Sequence, residues 1–186
     1  LMGLLVSHAG MIDGIFNIAQ RMTRRIPGGL GVATVLAATF FGGISGSSVA
    51  DAATIGRVSI GEMSKRGYDK PFAAALVAAA GTVDILIPPS VALVMYGIVS
   101  GASIGALLLA GIIPGLLTAA VYIILIIAIS GRYKRAQAPG QAASAEERVP
   151  IERKDVFGVI GGAILFAVVV GGIYSGAVTA TEAGAL

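Results

Sequence analysis

Of the 186 residues, 56% are hydrophobic and only 12% charged, far below the roughly 25% charge of an ordinary soluble domain. That excludes a water-soluble body as the main part of the chain. The absence of cysteine excludes disulfides and thiolate metal sites, and the formal net charge is +3. A helical crossing takes about 20 apolar residues, so several crossings fit but no large soluble domain beside them. The chain opens inside apolar sequence, without the basic leader or small-residue cleavage site of a signal peptide, and stops as abruptly; the expectation is a portion of a longer protein.

Twelve of the thirteen Lys and Arg fall into three clusters: Arg21/Arg24/Arg25, Lys65/Arg66/Lys70, and residues 132–154. Basic loops beside membrane segments stay on the cytoplasmic side. Nucleic acid is excluded as a partner, because the clusters flank membrane-length apolar runs and bring few aromatics for stacking. The surrounding partner is the lipid bilayer.

In chain order, residues 1–25 read as the end of a span followed by an interfacial amphipathic helix, with Met11, Ile15, Ile18, Ala19 and Met22 on one face. Residues 26–63 are almost uncharged yet lie between two basic clusters, so they must return to the side they left. Roughly 36 residues of single helix would be about 54 Å long, whereas two short helices form a re-entrant hairpin with its tip at residues 45–48. Residues 64–99 read as a cytoplasmic loop and a broken transmembrane helix running outward. Residues 100–133 give a short external turn and a returning helix with a candidate kink at Pro114. A cytoplasmic linker is expected at 134–155, and a further crossing followed by the start of a second half at 156–186. The fold class is an all-α membrane protein, a helical transmembrane bundle with a re-entrant hairpin and a discontinuous helix.

The two interruptions carry the chemistry. Irregular backbone at membrane depth leaves polar groups that protein, water or a solute must satisfy. In the first, Gly42, Gly43 and Gly46 are positioned to stop a helix and leave carbonyls facing the tip. Ser48 and Asp51 match a capping box, with Ser48 as cap and Asp51 as its structural partner. The N-terminal end of the second helix then suits an anion, and the carbonyls ending the first suit a cation. In the second, Pro88 and Pro89 remove two donors, so carbonyls across residues 81–85 are expected to be free. Thr82, Asp84 and Ser90 add hard oxygen ligands, and a carboxylate within an apolar span points to sodium or a proton.

The residues 40–56, 62–68, 85–90, 110–115 and 171–183 together resemble the large membrane subunit of the tripartite ATP-independent periplasmic (TRAP) transporters, a DctM-like permease, over nearly the whole chain. The resemblance implies the first inverted repeat of an elevator-type transporter. It implies sodium-coupled import of small organic acids, C4-dicarboxylates or related carboxylates, through the bacterial or archaeal inner membrane. A periplasmic solute-binding protein would deliver substrate, and a small membrane subunit would brace the scaffold. No cofactor is expected beyond sodium as coupling ion. It implies a sodium site at Ser45, Gly46, Ser47, Ser48, Gly81, Thr82 and Asp84, and an anion site at Ser48, Val49, Pro88, Pro89 and Ser90. Asp84 departs from the family pattern, in which a small residue, often glycine, stands at this position.

Two other classes compete. A re-entrant tip alone also permits an ion channel. The run from Gly43 to Gly46 matches the Gly-x-Ser-Gly pattern of rhomboid intramembrane proteases. The sole histidine, His8, precedes that serine, opposite to the rhomboid order, so no enzyme is expected.

Overall fold

The computed structural model describes residues 11–132 and 153–175, and the expectations for the first ten residues, the linker and the segment after residue 175 lie outside these. The helices are α1 (Met11–Thr23), α2 (Gly29–Ser45), α3 (Ser48–Lys65), α4 (Lys70–Val83), α5 (Val91–Ser100), α6 (Ile104–Ile129) and α7 (Arg153–Ser175), with a 3-10 turn at Ser130–Arg132 after α6.

The core is built on α2. Its seventeen residues contain no charge, and a helix apolar on every side is stable only when surrounded. Accordingly α1, α3, α4, α6 and α7 all pack on it, burying Val32, Ala33, Val35, Phe41 and Ile44 among others. Helices α2 and α3 lie against each other as a hairpin. Inside it the Thr34 hydroxyl donates to the Leu30 carbonyl and is paired with the Ser59 hydroxyl at 2.9 Å, satisfying two buried hydroxyls without water.

Helix α1 buries Ile15, Phe16, Ala19, Gln20 and Thr23, while Met22 is 74% exposed. The buried stripe is therefore rotated from the one the apolar pattern predicts. Packing between α2 and α7 sets it, and the Thr23 hydroxyl lies within hydrogen-bond reach of the carbonyls of Ala19, at 2.9 Å, and Gly29, at 2.7 Å.

Helix α4 begins with Pro71 in its first turn, where a missing N–H costs nothing. Before it, Tyr68 stacks on Phe72 with centroids 6.3 Å apart, and burial pushes the Tyr68 phenol above its ordinary range. Helix α6, at 26 residues, is the one helix among those described that is long and apolar enough to cross a membrane. Pro114 lies inside it without interrupting it, and the Thr118 hydroxyl donates to the Pro114 carbonyl at 2.7 Å.

The positive ends collect. Gly28, just after Arg24 and Arg25, sits against Ser130 at the end of α6, two residues before Arg132. Phe72, two residues after Lys70, shares an apolar crevice of about 290 Å³ with Tyr122 and Ile129. The segments beside Arg25, Lys70 and Arg132 thus lie near the C-terminal end of α6.

Candidate functional site: the hairpin tip and the proline break

Glycine ends α2, and of the three candidates it is the last. Gly42 and Gly43 remain helical, and the stop is Gly46, in the left-handed region at φ 64°, whose N–H bonds the Gly42 carbonyl at 3.1 Å. A side chain would be strained there, which is the reason for glycine. The cap of α3 is shifted by one residue. Ser47, extended at φ −130°, accepts from Ala50 N through its side chain, and Ser48 is already the first helical residue. Only the extended residue before the first turn has a side chain directed back at the free amides, so the predicted capping role of Ser48 is corrected to Ser47. Asp51 occupies the first turn of α3, favourable for a negative charge, and is fully buried.

The second interruption runs from Asp84 to Ser90, between α4 and α5, with a cis bond between Pro88 and Pro89. Gly81 and Thr82 stay within α4. Two of the carbonyls expected to be free have partners inside the break: Leu86 N–H bonds the Val83 carbonyl at 3.0 Å, and the Ser90 hydroxyl donates to the Ile85 carbonyl. The same hydroxyl accepts from Leu93 N and so caps α5. A turn of four residues, closed by one serine, replaces donors that the prolines cannot supply.

The two interruptions touch. A Cβ placed on Gly46 would lie 2.8 Å from the Pro89 carbonyl oxygen, and one on Gly42 would lie 2.5 Å from Asp84 Oδ1 and 2.6 Å from its Cβ and Cγ. One on Gly81 would make an ordinary 3.4 Å contact with the Ser48 carbonyl. The tip therefore rests on Pro89, the Asp84 side chain occupies the space left by the missing side chain of Gly42, and the start of α3 lies beside the end of α4. Behind the break, Gly111 and Gly115 of α6 admit Leu86 and Ile87: a Cβ on Gly115 would sit 3.0 Å from Ile87 Cγ1 and 3.2 Å from Leu86 Cβ.

Among the proposed ligands, Asp84 and Ser90 are buried, Ser48 and Pro89 half-buried, and Val49 is exposed. Thr82 is exposed, and its hydroxyl is engaged with the Ala79 carbonyl and, at 3.0 Å, with Tyr122 on α6. Asp84 meets another acid: the carboxyl of Asp51 lies within direct interaction range of it. Sequence reading missed this pair, and it missed the seats at Gly42, Gly111 and Gly115. The four-residue spacing of Gly111 and Gly115 on one helix face is a signal that could have marked the last two.

Residues 1–186 match the family described as the tripartite ATP-independent periplasmic transporter, DctM component. The chain is 38% identical over its whole length to the C4-dicarboxylate TRAP transporter large permease protein DctM of Pseudomonas aeruginosa, of which it covers 42%. It is 39% identical, again over its whole length and 42% of the relative, to the sialic acid TRAP transporter large permease protein SiaM of Vibrio cholerae. Over 99% of the chain and 28% of the relative it is 38% identical to the isethionate TRAP transporter permease protein DctMQ of Oleidesulfovibrio alaskensis. The chain thus spans less than half the length of these relatives. They are permeases and not enzymes, which removes the protease reading of the Gly43–Gly46 run. The all-helical bundle with a membrane-length α6 agrees with them, and the chain belongs to the DctM family of large integral membrane permeases of TRAP transporters.

Proposed function

We propose that the protein imports organic anions by sodium-coupled, elevator-type secondary transport across the inner membrane, this chain supplying the first of two inverted repeats. Small carboxylic acids are the substrate class. The observation that carries the proposal is the contact of the hairpin tip with the proline break, Gly46 against Pro89. Paired discontinuities near the midplane are how many secondary carriers build their sites. The α2–α3 hairpin enters and leaves on the cytoplasmic side, and α4, α5, α6 and α7 cross.

Sodium sits where α2 ends and α4 breaks, between the segment Ser45 to Ser48 and the Gly81, Thr82 and Asp84 stretch. The substrate anion is held at the first turn of α3, at Ser48 and Val49, with Pro88, Pro89 and Ser90 forming the opposite wall. The half-exposed position of this turn supports access by a solute, and a helix N-terminus favours the negative charge. A small membrane subunit and a periplasmic binding protein complete the system. The relatives named for C4-dicarboxylate, sialic acid and isethionate have in common an anionic substrate, which is the part of their specificity this reading adopts.

The test is uptake of labelled C4-dicarboxylate and sialic acid into proteoliposomes by the full-length permease with its partners. Accumulation that collapses without an inward sodium gradient is expected. Equal uptake with and without that gradient overturns the coupling, and ion flux at channel rates in electrical recordings overturns the carrier.

A further inference from the structure

Away from the tip and the break, the crevice between α4 and α6 is bounded, apolar and open to the outside of the bundle. Phe72, Ala75, Leu76 and Ala79 of α4 face the row from Tyr122 to Ile129 on α6, with Val35 of α2 also in the lining. Both rows follow the three- and four-residue spacing of one helix face. The floor is tight: a Cβ on Gly31 of α2 would meet Leu76 Cδ1 at 2.8 Å and Ile126 Cγ2 at 2.9 Å. Above it the small side chains of Ala75 and Ala79 leave about 290 Å³. Ala75 is exposed and Leu125 is 50% exposed, so the space opens outward. Its two ends differ in chemistry. At the Ala79 end the hydroxyls of Thr82 and Tyr122 join α4 to α6 at 3.0 Å. At the Phe72 end, Lys70 stands two residues before Phe72, and Arg132 stands three residues past Ile129, the next step along the lining row. Both cations are exposed. From Phe72 to Ala79 the helix rises about 11 Å, most of the roughly 15 Å of hydrocarbon in one leaflet.

We propose that this crevice is a lipid site: it takes one acyl chain of an anionic phospholipid of the cytoplasmic leaflet, whose phosphate lies at Arg132 and Lys70. An amphiphile is what the two ends select, an apolar chute closed at depth and cations at its mouth. Basic residues between transmembrane helices on the cytoplasmic side suit anionic headgroups, and long cationic side chains at the end of a span reach the interface. Size decides between occupants. A methylene is close in volume to a water, about 30 Å³ in the liquid, so about ten methylenes fill the crevice. A helix of the same 11 Å length and about 10 Å across takes up about 800 Å³, nearly three times the space, so a further helix of this protein would lie over the crevice and not in it. The site goes beyond the transport reading and rests only on α4 and α6 crossing the membrane; neither the coupling ion nor the substrate enters it.

The test places the full-length permease, with its small membrane subunit, in phosphatidylcholine nanodiscs. A trace of phosphatidylglycerol or of phosphatidylcholine with a diazirine on one acyl chain is added at equal mole fraction, and the photolabelled residues are mapped by mass spectrometry. Labelling is expected in the segments 72–79 and 122–129, with phosphatidylglycerol preferred by at least about tenfold, at about fivefold per cation near the surface. Arg132→Gln is expected to lower that preference about fivefold, and the double change with Lys70→Gln to abolish it. Ala79→Phe, which fills the crevice, is expected to remove the label, while Ile113→Phe, at a 76% exposed position elsewhere on α6, leaves it in place. If Ala79→Phe does not fold, Ala75→Leu is measured instead, and the map of the wild type needs neither. Label on Ile113 and Leu117 without label in the crevice overturns the site and shows it covered by the rest of the protein. Unchanged labelling in the filled variant also overturns it, and equal labelling by the two lipids overturns the anionic headgroup. Absence of label from all of α4 and α6 overturns the membrane placement of these helices instead.

Discussion

The two interruptions solve one problem by opposite means. At the tip the chain stops with a glycine in the left-handed region and restarts with a serine cap, so Gly46 and Ser47 close both helix ends locally. At the break the prolines remove donors, the gap is spanned by Ser90 and Leu86, and the irregular backbone is covered by protein, with Gly111 and Gly115 making room. A self-capped turn tolerates exposure, and Ser47 and Val49 are exposed. A proline break in an apolar medium does not, and Asp84, Ile87, Pro88 and Ser90 are buried. On the proposed reading, the exposed tip is the side from which a solute enters, and the more deeply covered break is the side nearer the ion.

The comparison is broken most forcefully at Gly42, where the two regions share space. Gly42→Ala is expected to cost about 1–3 kcal/mol, the range for overpacking, because the added carbon meets Asp84 from its Cβ outward and little there can rotate away. Asp84→Gly should relieve most of that loss. A double-mutant cycle on the thermal unfolding of the full-length permease measures it: a strong coupling between the two changes is expected, and additive effects would show that tip and break are not in register as described.

That contact also marks the limit of what the sequence shows. Both interruptions were visible in it, because Gly46, Ser47, Pro88, Pro89 and Ser90 act on their own neighbours through local stereochemistry. So was the long α6. The seat of Asp84 was not visible, since its walls come from Gly42 and Asp51, more than thirty residues earlier, and no local pattern distinguishes a glycine that ends a helix from one that receives a side chain. The same ambiguity left open which of Gly42, Gly43 and Gly46 ends the helix. The cap moved from Ser48 to Ser47 because three serines stand within four positions, and only backbone conformation decides which one faces the free amides. On α1 the apolar stripe was misplaced because Thr23 and Gln20 are buried by packing and by bonds to backbone that hydropathy does not register.

The assignment of the cap sharpens the comparison on a smaller scale. Ser47→Ala removes the side-chain acceptor for Ala50 N and is expected to lower stability by about 1 kcal/mol, as loss of an N-cap does. Ser48→Ala, in the first helical position, should cost less than that while weakening the substrate anion's contact at the helix start. Thermal midpoints and substrate half-saturation of the two variants, measured side by side in the full-length permease, separate them. A larger loss of stability in Ser48→Ala would return the cap to the position the sequence pattern first suggests.

The smallest effect is expected where the break is tied to its neighbour away from the tip. Thr82 and Tyr122 are joined at 3.0 Å across α4 and α6, and Tyr122→Phe removes that bond with little change of shape. Thr82 keeps its bond to the Ala79 carbonyl, so no orphaned donor results, and interhelical hydrogen bonds in membranes are worth about 0.6 kcal/mol on average. A midpoint shift of that order is expected, with the sodium dependence of uptake unchanged, because Tyr122 is not among the proposed ligands. Loss of the sodium dependence of uptake in Tyr122→Phe would show instead that α6 takes part in the proposed coupling.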